Sequence, residues 1–115
     1  MGKFVITQRV NKEYQFNLKA GNGEIILTSE GYIQKASCQK GIESVKVNSQ
    51  DLSKYDRRLA KNGKDYFVLK ARNGEIIGNS QMYSSKSGME NGIASVKSNA
   101  PTAEIVDKTL KNYGS

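Results

Sequence analysis

The sequence has no histidine and no tryptophan, and it contains one cysteine, Cys38, and one proline, Pro101. Without histidine there is no Ser–His–Asp or Cys–His nucleophile pair, no imidazole ligand for a metal ion and no imidazole proton shuttle near pH 7. Most familiar hydrolase and metalloenzyme designs are thereby excluded. We therefore expect no catalytic residues, no metal site and no cofactor.

Disulfides and membrane spans are also excluded by what the sequence lacks. A single cysteine cannot form an internal disulfide, and a free thiol favours a reducing compartment, so a cytoplasmic protein is expected. No segment approaches the roughly 18 consecutive apolar residues of a transmembrane helix, so no association with membranes is expected. The length of 115 residues suits one compact domain.

Basic residues outnumber acidic ones by 18 to 11, which gives a formal net charge of +7. The excess is spread along the chain and forms no basic arm. The densest cluster, at residues 54–64, is interrupted by Asp56 and followed by Asp65, which favours an ordinary solvated surface. The alternative is an anionic partner, such as nucleic acid bound weakly through its phosphates.

The chain contains an internal repeat with a constant offset of 51 residues. Comparison of residues 16–49 with residues 67–100 gives 18 identities in 34 positions without a gap. The sequence is therefore a tandem duplication within one domain. Repeat 1 is placed at about 3–52, repeat 2 at about 53–108 and a short C-terminal tail at 109–115.

Each repeat is predicted to contain three strands followed by one helix. The predicted strands lie at 4–10, 14–20 and 24–29 in repeat 1 and at 55–60, 65–71 and 75–80 in repeat 2. An Asn-Gly pair before each third strand, at Asn22 and Asn73, is typical of a tight primed hairpin turn. A further strand is a candidate at 102–108, after the second helix.

The two helices are indicated by an apolar stripe with helical spacing. The stripe comprises Cys38, Ile42, Val45 and Ser49 in repeat 1 and Met89, Ile93, Val96 and Ala100 in repeat 2. Asn48 and Asn99 are expected to end the helices in the left-handed conformation. Pro101 prevents the second helix from continuing.

The repeated motifs resemble those of the bacterial YegP family. They are Phe-x-Leu-Lys-Ala-x-Asn-Gly-Glu-Ile-Ile from Phe16 and Phe67, and Gly-Ile-x-Ser-Val-Lys-x-Asn from Gly41 and Gly92. The resemblance extends from residue 3 to about residue 108. It implies a two-layer fold in which both repeats complete a single antiparallel sheet, and it implies dimers among single-repeat relatives. It implies no particular activity, because the family has no established biochemical function.

We therefore predict an α+β fold, a two-layer sandwich in which two tandem β-β-β-α repeats complete one antiparallel sheet with two helices on one face. A monomer is expected, because one chain supplies both repeats. In repeat 2, Gly78 replaces Leu27, which predicts a bend or bulge in its third strand. Gly41 and Gly92 are expected to let the helices approach the sheet closely, at a helix-propensity cost of about 1 kcal/mol each.

Six residues between the third strand and the helix form one candidate site, namely Ser29, Tyr32 and Lys35 and their counterparts Ser80, Tyr83 and Lys86. A serine beside a lysine can act as nucleophile and base if the two groups meet. We favour a structural role, because serine and tyrosine before a helix commonly cap backbone N–H groups and close the end of the core. Ligand binding is the third possibility.

Three further residues allow a chemical interpretation. Glu24 and Glu75 follow the Asn-Gly turns and would suit acid–base chemistry as a pair, but their spacing does not bring them together, and solvated charges are favoured. Cys38 lies on the apolar stripe and aligns with Met89. It is therefore interpreted as a core residue rather than a redox thiol.

Alternation along the second strand of each repeat leaves Lys19 and Lys70 on the face opposite the helices, which we call the open face. A sheet that stacks nucleic-acid bases needs aromatic side chains on such a face, and only Tyr66 is so placed. The expected function is therefore a non-catalytic binding or interaction module whose ligand is not specified. The alternative is weak, sequence-independent binding of nucleic acid or another polyanion.

Overall fold

The computed structural model describes residues 2–110, which form seven strands and two helices. The strands are β1 (Lys3–Gln8), β2 (Tyr14–Lys19), β3 (Ile25–Thr28), β4 (Tyr55–Leu59), β5 (Asp65–Lys70), β6 (Ile76–Asn79) and β7 (Glu104–Asp107). The helices are α1 (Lys35–Asn48) and α2 (Lys86–Asn99), and they are followed by short 3₁₀ turns at Leu52–Lys54 and Ala100–Thr102. Of the predicted C-terminal tail, residues 111–115 lie outside the described residues.

All seven strands form one sheet in the order β4-β5-β6-β3-β2-β1-β7. Neighbouring strands within each repeat are antiparallel, and the repeats join where β3 pairs antiparallel with β6 through Thr28 and Asn79. The predicted α+β fold, with two β-β-β-α repeats in a single sheet, is confirmed. The prediction of a wholly antiparallel sheet is wrong at one edge, because β7 runs parallel to β1.

The strand β7 forms the outer edge of the sheet beside β1. The offset of 51 aligns Val106 in β7 with Tyr55 at the start of β4, but Tyr55 lies in the core whereas Val106 lies beside Val5 on the open face, so β7 does not copy the first strand of the repeat. In repeat 2 that strand lies beside β5, and the corresponding place beside β2 is already occupied by β1. The strand β7 lies along the outer edge of β1 and runs parallel to it, with Val106 opposite Val5.

Both helices pack on the same face of the sheet and share one core with it. The predicted apolar stripes are buried. Each helix contacts strands of both repeats, because α1 packs against β2, β5 and β6 and α2 packs against β3 and β5. Neither repeat therefore encloses a complete core by itself.

The turns before β3 and β6 differ from the predicted primed turns. Only the glycine of each Asn-Gly pair has a positive φ, 87° at Gly23 and 88° at Gly74. The Gly23 N–H donates to the Ala20 carbonyl, and the Asn22 side chain accepts from the Glu24 N–H. This is the pattern of a three-residue loop in which a left-handed glycine follows a type I turn.

The helices end without the left-handed residue predicted at Asn48 and Asn99. The residues that follow them, Ser49 with φ −61° and Ala100 with φ −58°, are also right-handed. Each asparagine instead donates its side-chain amide to the backbone one turn earlier, to the Ser44 carbonyl in the case of Asn48. Within residues 2–110, no helix is long and apolar enough to cross a membrane.

The register shift predicted for the third strand of repeat 2 is present in both repeats. It lies opposite Leu18 and Lys19 in repeat 1 and opposite Leu69 and Lys70 in repeat 2. Because repeat 1 has leucine where repeat 2 has Gly78, the glycine is not the cause of the shift.

Candidate functional site

Ser29 and Ser80 bond to the backbone where the third strand of each repeat ends. The Ser29 hydroxyl accepts from the Phe16 N–H at 2.8 Å and donates to the Glu30 carbonyl at 2.8 Å. Ser80 makes the equivalent two bonds, at 2.9 and 2.7 Å. The serines therefore satisfy strand backbone rather than the helix N–H groups that we expected them to cap. Their hydroxyl protons are donated to carbonyls and are not directed at a lysine.

Tyr32 and Tyr83 close the two ends of the core. The Tyr32 ring stacks on Phe16 with 6.4 Å between centroids, and its hydroxyl lies where a β-carbon on Gly41 would be. Tyr83 has the same relation to Gly92 and to the phenylalanine of repeat 2. Burial raises the pKa of both tyrosine hydroxyls. The helical glycines thus make room for a tyrosine between helix and sheet, which refines the predicted close approach.

Lys35 and Lys86 occupy different surroundings. Lys35 Nζ lies 2.9 Å from the Asp107 carboxylate and 5.9 Å from the centre of the Tyr14 ring, so it links α1 to β7. Lys86 is exposed and borders a shallow surface concavity. No hydrogen bond joins either lysine to the serine of its own repeat among the described residues. The Ser–Lys nucleophile pair considered from the sequence is therefore not assembled.

Neither Cys38 nor the two glutamates, Glu24 and Glu75, is placed for nucleophilic or acid–base catalysis. Cys38 is fully buried, and burial, with a smaller effect of the Asp107 charge, raises the pKa of its thiol to about 11. The thiol is therefore protonated at neutral pH and unreactive. Glu24 lies near Tyr83 and Glu75 near Tyr32, where each negative charge helps to raise the tyrosine pKa. The glutamates thus belong to different ends of the core.

The open face of the sheet carries Lys19 and Lys70 in unlike settings. Lys70 Nζ is 3.4 Å from the Asp56 carboxylate, which also accepts from Arg58 at 3.0 Å. The hydrogen bond from Arg58, and to a lesser extent Lys70, lowers the pKa of Asp56. Lys19 has no acidic partner among residues 2–110. Equivalent lysines of the two repeats therefore differ in charge compensation.

Lys19 borders a shallow concavity of about 280 Å³ where β7, β1 and the turn between β2 and β3 meet. We call it the edge pocket and define it by Lys3, Lys19 and Lys108 around its rim and Val5 and Val106 at its base. Of the rim lysines, only Lys3 has an acidic neighbour in the described chain, the exposed Glu104 at 3.7 Å. The edge pocket is therefore basic around an apolar base.

Sequence reasoning missed four of the five residues that define the edge pocket, namely Lys3, Val5, Val106 and Lys108. Lys3 is the cross-strand neighbour of Lys19 in the β1–β2 pair, and Val106 and Lys108 join them because β7 lies beside β1, whereas the strand predicted at 102–108 had no predicted neighbour. The repeat offset gave no signal for them, because it aligns Val106 with Tyr55, which lies in the core.

The predicted scarcity of aromatic side chains on the open face is confirmed for residues 2–110. Their phenylalanines and all their tyrosines except Tyr66 belong to the core or pack against it. Tyr66 is on the open face beside Arg58, its cross-strand neighbour. The open face therefore offers charge but no platform on which successive bases could stack.

A family model described as a domain of unknown function, DUF1508, matches the chain twice, at residues 10–56 and 60–107. Bacterial relatives align over nearly the whole chain. A UPF0339 protein from Acinetobacter baylyi is 53% identical over 108 residues, which cover 94% of this chain and 97% of the relative. The UPF0339 protein YegP from Escherichia coli K12 is 49% identical over 108 residues, which cover 94% of this chain and 98% of YegP.

Two solution NMR structures share the fold. YegP from Escherichia coli, described as a protein of unknown function, superposes with a TM-score of 0.91 at 49% identity, and the match covers 96% of each chain. A UPF0339 protein from Shewanella oneidensis gives a TM-score of 0.87 at 50% identity, covering 92% of this chain and 90% of that one. These comparisons identify a fold and a family but no ligand or activity.

Proposed function

The chain belongs to the DUF1508 family of YegP-like bacterial proteins, as its repeated motifs predicted, and we propose that it is a non-catalytic binding module for an anionic partner. In this proposal the partner binds to the open face of the sheet. One observation carries this proposal. Lys70 and Arg58 of repeat 2 share the carboxylate of Asp56, whereas Lys19 of repeat 1 has no acidic partner in the described chain.

The non-catalytic part of the proposal is supported by the chemistry of the candidate nucleophiles. The sequence has no histidine, the Ser29 hydroxyl is engaged by backbone on both sides, and the Cys38 thiol is buried and protonated. Among residues 2–110, no group of three or more cysteine, aspartate and glutamate side chains is placed to hold a metal ion. Binding, rather than bond making, is the role that suits these residues.

We propose further that the protein is a cytoplasmic monomer. The free thiol of Cys38 suits a reducing compartment. Both repeats are already paired within one sheet, and the two sheet edges are poor templates for another chain. One edge is β4, which carries Arg57 and Arg58, and the other is β7, which is only four residues long.

Nucleic acid bound without sequence preference is a second candidate for the anionic partner. The net charge of +7 favours it, because lysines that neutralise phosphates release counterions. Tyr66 alone cannot stack a run of bases, so affinity would come from charge and fall steeply with salt. A sequence preference that persists at high salt would contradict this candidate.

Titration of ¹⁵N-labelled protein with pyrophosphate and with a twelve-nucleotide oligothymidylate tests the proposed function. We expect amide shifts in β1, β2, β5 and β7 and little change on the outer faces of the helices. Lys19→Gln combined with Lys70→Gln should weaken binding more than Lys40→Gln combined with Lys97→Gln, which removes two charges from the helices. Shifts confined to the helices, or no binding of either anion, would overturn the proposal.

A further inference from the structure

We propose that the edge pocket binds the phosphate group of a small phosphomonoester. The inference rests on the proposed function and deepens it, because it names the part of the open face and the class of ligand. Three observations carry it: the arrangement of the rim lysines, the contrast with the same place in repeat 2, and the apolar base of the pocket.

The charge balance of the edge pocket suits a dianion. Lys3, Lys19 and Lys108 bring three positive charges to one concavity, and Glu104 compensates one of them through Lys3. About two positive charges are left, which matches the charge of about −1.5 to −2 that a phosphomonoester carries at pH 7. The rim supplies lysines, and lysine is a common phosphate ligand that binds as a compact point charge.

The corresponding residues of repeat 2 show how a carboxylate can compensate the lysine that lies on the open face. The offset of 51 aligns Val5 with Asp56 and Lys19 with Lys70. In repeat 2 the aspartate accepts from Arg58 and pairs with Lys70, so its single carboxylate compensates one of these two positive charges. In repeat 1 a valine takes the place of that carboxylate. Lys19 therefore lacks the carboxylate that its counterpart Lys70 has, and Lys108 on β7 has no counterpart in repeat 2, because β4 is the edge of the sheet in the described chain.

The size and base of the edge pocket favour an organic ester over the free phosphate ion. Its volume of about 280 Å³ is at the lower limit of ordinary small-molecule sites. Val5 is 5% exposed and Val106 is partly exposed, and together they form an apolar surface beneath the lysines. An apolar group attached to the phosphate can rest on this surface while the charged oxygens face the rim.

Phenyl phosphate is the probe, with inorganic phosphate and the monoanion benzoate for comparison, and binding is followed by NMR titration of the full chain. We expect phenyl phosphate to bind more tightly than either comparison ion. Lys19→Gln and Lys108→Gln should each weaken it about fivefold, as expected for the loss of one exposed ion contact. Lys70→Gln, the repeat counterpart of Lys19→Gln, should change affinity less than about twofold, because Asp56 already holds that lysine.

Two exchange variants test the contrast between repeats. Val5→Asp should abolish binding of phenyl phosphate at the edge pocket, whereas Asp56→Val should leave that binding unchanged, because no strand of the described chain lies beyond β4 to complete a pocket around Lys70. Circular dichroism establishes that each variant is folded, and the glutamine variants test the site even where Val5→Asp does not fold. Equal weakening by Lys19→Gln and Lys70→Gln would overturn the inference and leave the proposed function standing. Absence of binding by every anion tested would overturn both.

Discussion

The side chain of Leu27 occupies the space that a β-carbon on Gly78 would need, with its Cγ 2.6 Å from that position. The two residues are equivalent in the two repeats, and they lie on β3 and β6, which pair at the centre of the sheet. Leu27 is fully buried. The centre of the core thus has room for one leucine and requires glycine opposite it, so the repeats cannot be identical here.

A methyl group added at Gly78 should lower the free energy of unfolding unless the Leu27 side chain is shortened as well. Gly78→Ala is expected to lower the free energy of unfolding by about 1–3 kcal/mol through overpacking. Leu27→Ala should cost about 2–5 kcal/mol through the cavity it leaves. The double variant should lose less than the sum, because the shortened side chain leaves room for the added methyl group. Urea unfolding of the three variants measures these values.

Additive losses in this double-mutant cycle would contradict the packing relation between Leu27 and Gly78. Neutral behaviour of Gly78→Ala alone would contradict it equally, since the only space available to the new methyl group is the space that Leu27 fills.

The sequence was sufficient for the repeat, the hairpins and the helices because these depend on local periodicity and on the offset of 51. It was insufficient wherever two repeats meet. The sequence predicts a bulge caused by Gly78, but both repeats have the bulge. Gly78 instead makes room for the Leu27 side chain on the neighbouring central strand. The position of β7 at the outer edge depends likewise on β1 already occupying the place beside β2.

The sequence could predict the face of the sheet on which the candidate lysines lie, but it could not predict which acidic side chains they contact. Lys19 and Lys70 were correctly placed on one face, because alternation along a strand is local. Their different settings depend on cross-strand neighbours, since Asp56 compensates Lys70 whereas Val5 stands in the equivalent place near Lys19. The alignment of Val5 with Asp56 is visible in the sequence. Its effect on the lysine charge can be inferred only once it is known that β4 pairs with β5 and β1 with β2.

Gly92 and Gly88, both in α2, should respond oppositely to alanine. A β-carbon on Gly92 would collide with the Tyr83 ring, with Cζ 2.7 Å away, so Gly92→Ala should lower the free energy of unfolding by about 1–3 kcal/mol. A β-carbon on Gly88 would meet Ser85 Oγ at 3.2 Å, and that oxygen can move by the few tenths of an ångström required while still accepting from the Gly88 N–H as the cap of α2. Gly88→Ala should therefore be neutral or stabilise by up to about 1 kcal/mol, the helix-propensity gain. Thermal unfolding compares them, and similar losses would contradict the tyrosine contact.

Cys38→Met should fold and should change the dependence of stability on alkaline pH. Burial raises the pKa of the thiol from 9.0 to about 11, so the unfolded chain loses this proton at lower pH than the folded chain. The thiol therefore contributes stability below pH 9 that is lost as the pH rises to about 11, about 2–3 kcal/mol in all. Urea unfolding between pH 8 and pH 11 should show a smaller decline for Cys38→Met than for the unmodified protein.

Met89→Leu, at the aligned position of repeat 2, is the control for the Cys38 prediction. It changes the core without removing an ionisable group, so it should keep the pH dependence of the unmodified protein. A loss above about 2 kcal/mol at neutral pH in Cys38→Met would contradict the interpretation of Cys38 as a core residue that the aligned methionine can replace.

The two repeats, made as separate chains of residues 1–52 and 53–115, should assemble with each other in preference to themselves. Each helix packs on strands of both repeats, so a single repeat at about fifty residues leaves half its core and the central strand edge exposed. A pair of repeat 1 chains would bring two Leu27 side chains to the centre, and a pair of repeat 2 chains would leave a cavity between two Gly78 residues. Only the mixed pair reproduces the native fit.

Light scattering, native mass spectrometry and circular dichroism over a concentration series test this preference. We expect the isolated chains to be unfolded or weakly dimeric and the mixture to form a folded one-to-one complex. Leu27→Ala in the first chain should strengthen its self-association, because it relieves the collision at the centre. A cooperatively folded monomer of either chain at all concentrations would show that the repeats are independent, and an equal preference for mixed and self pairs would show that Leu27 and Gly78 do not direct the assembly.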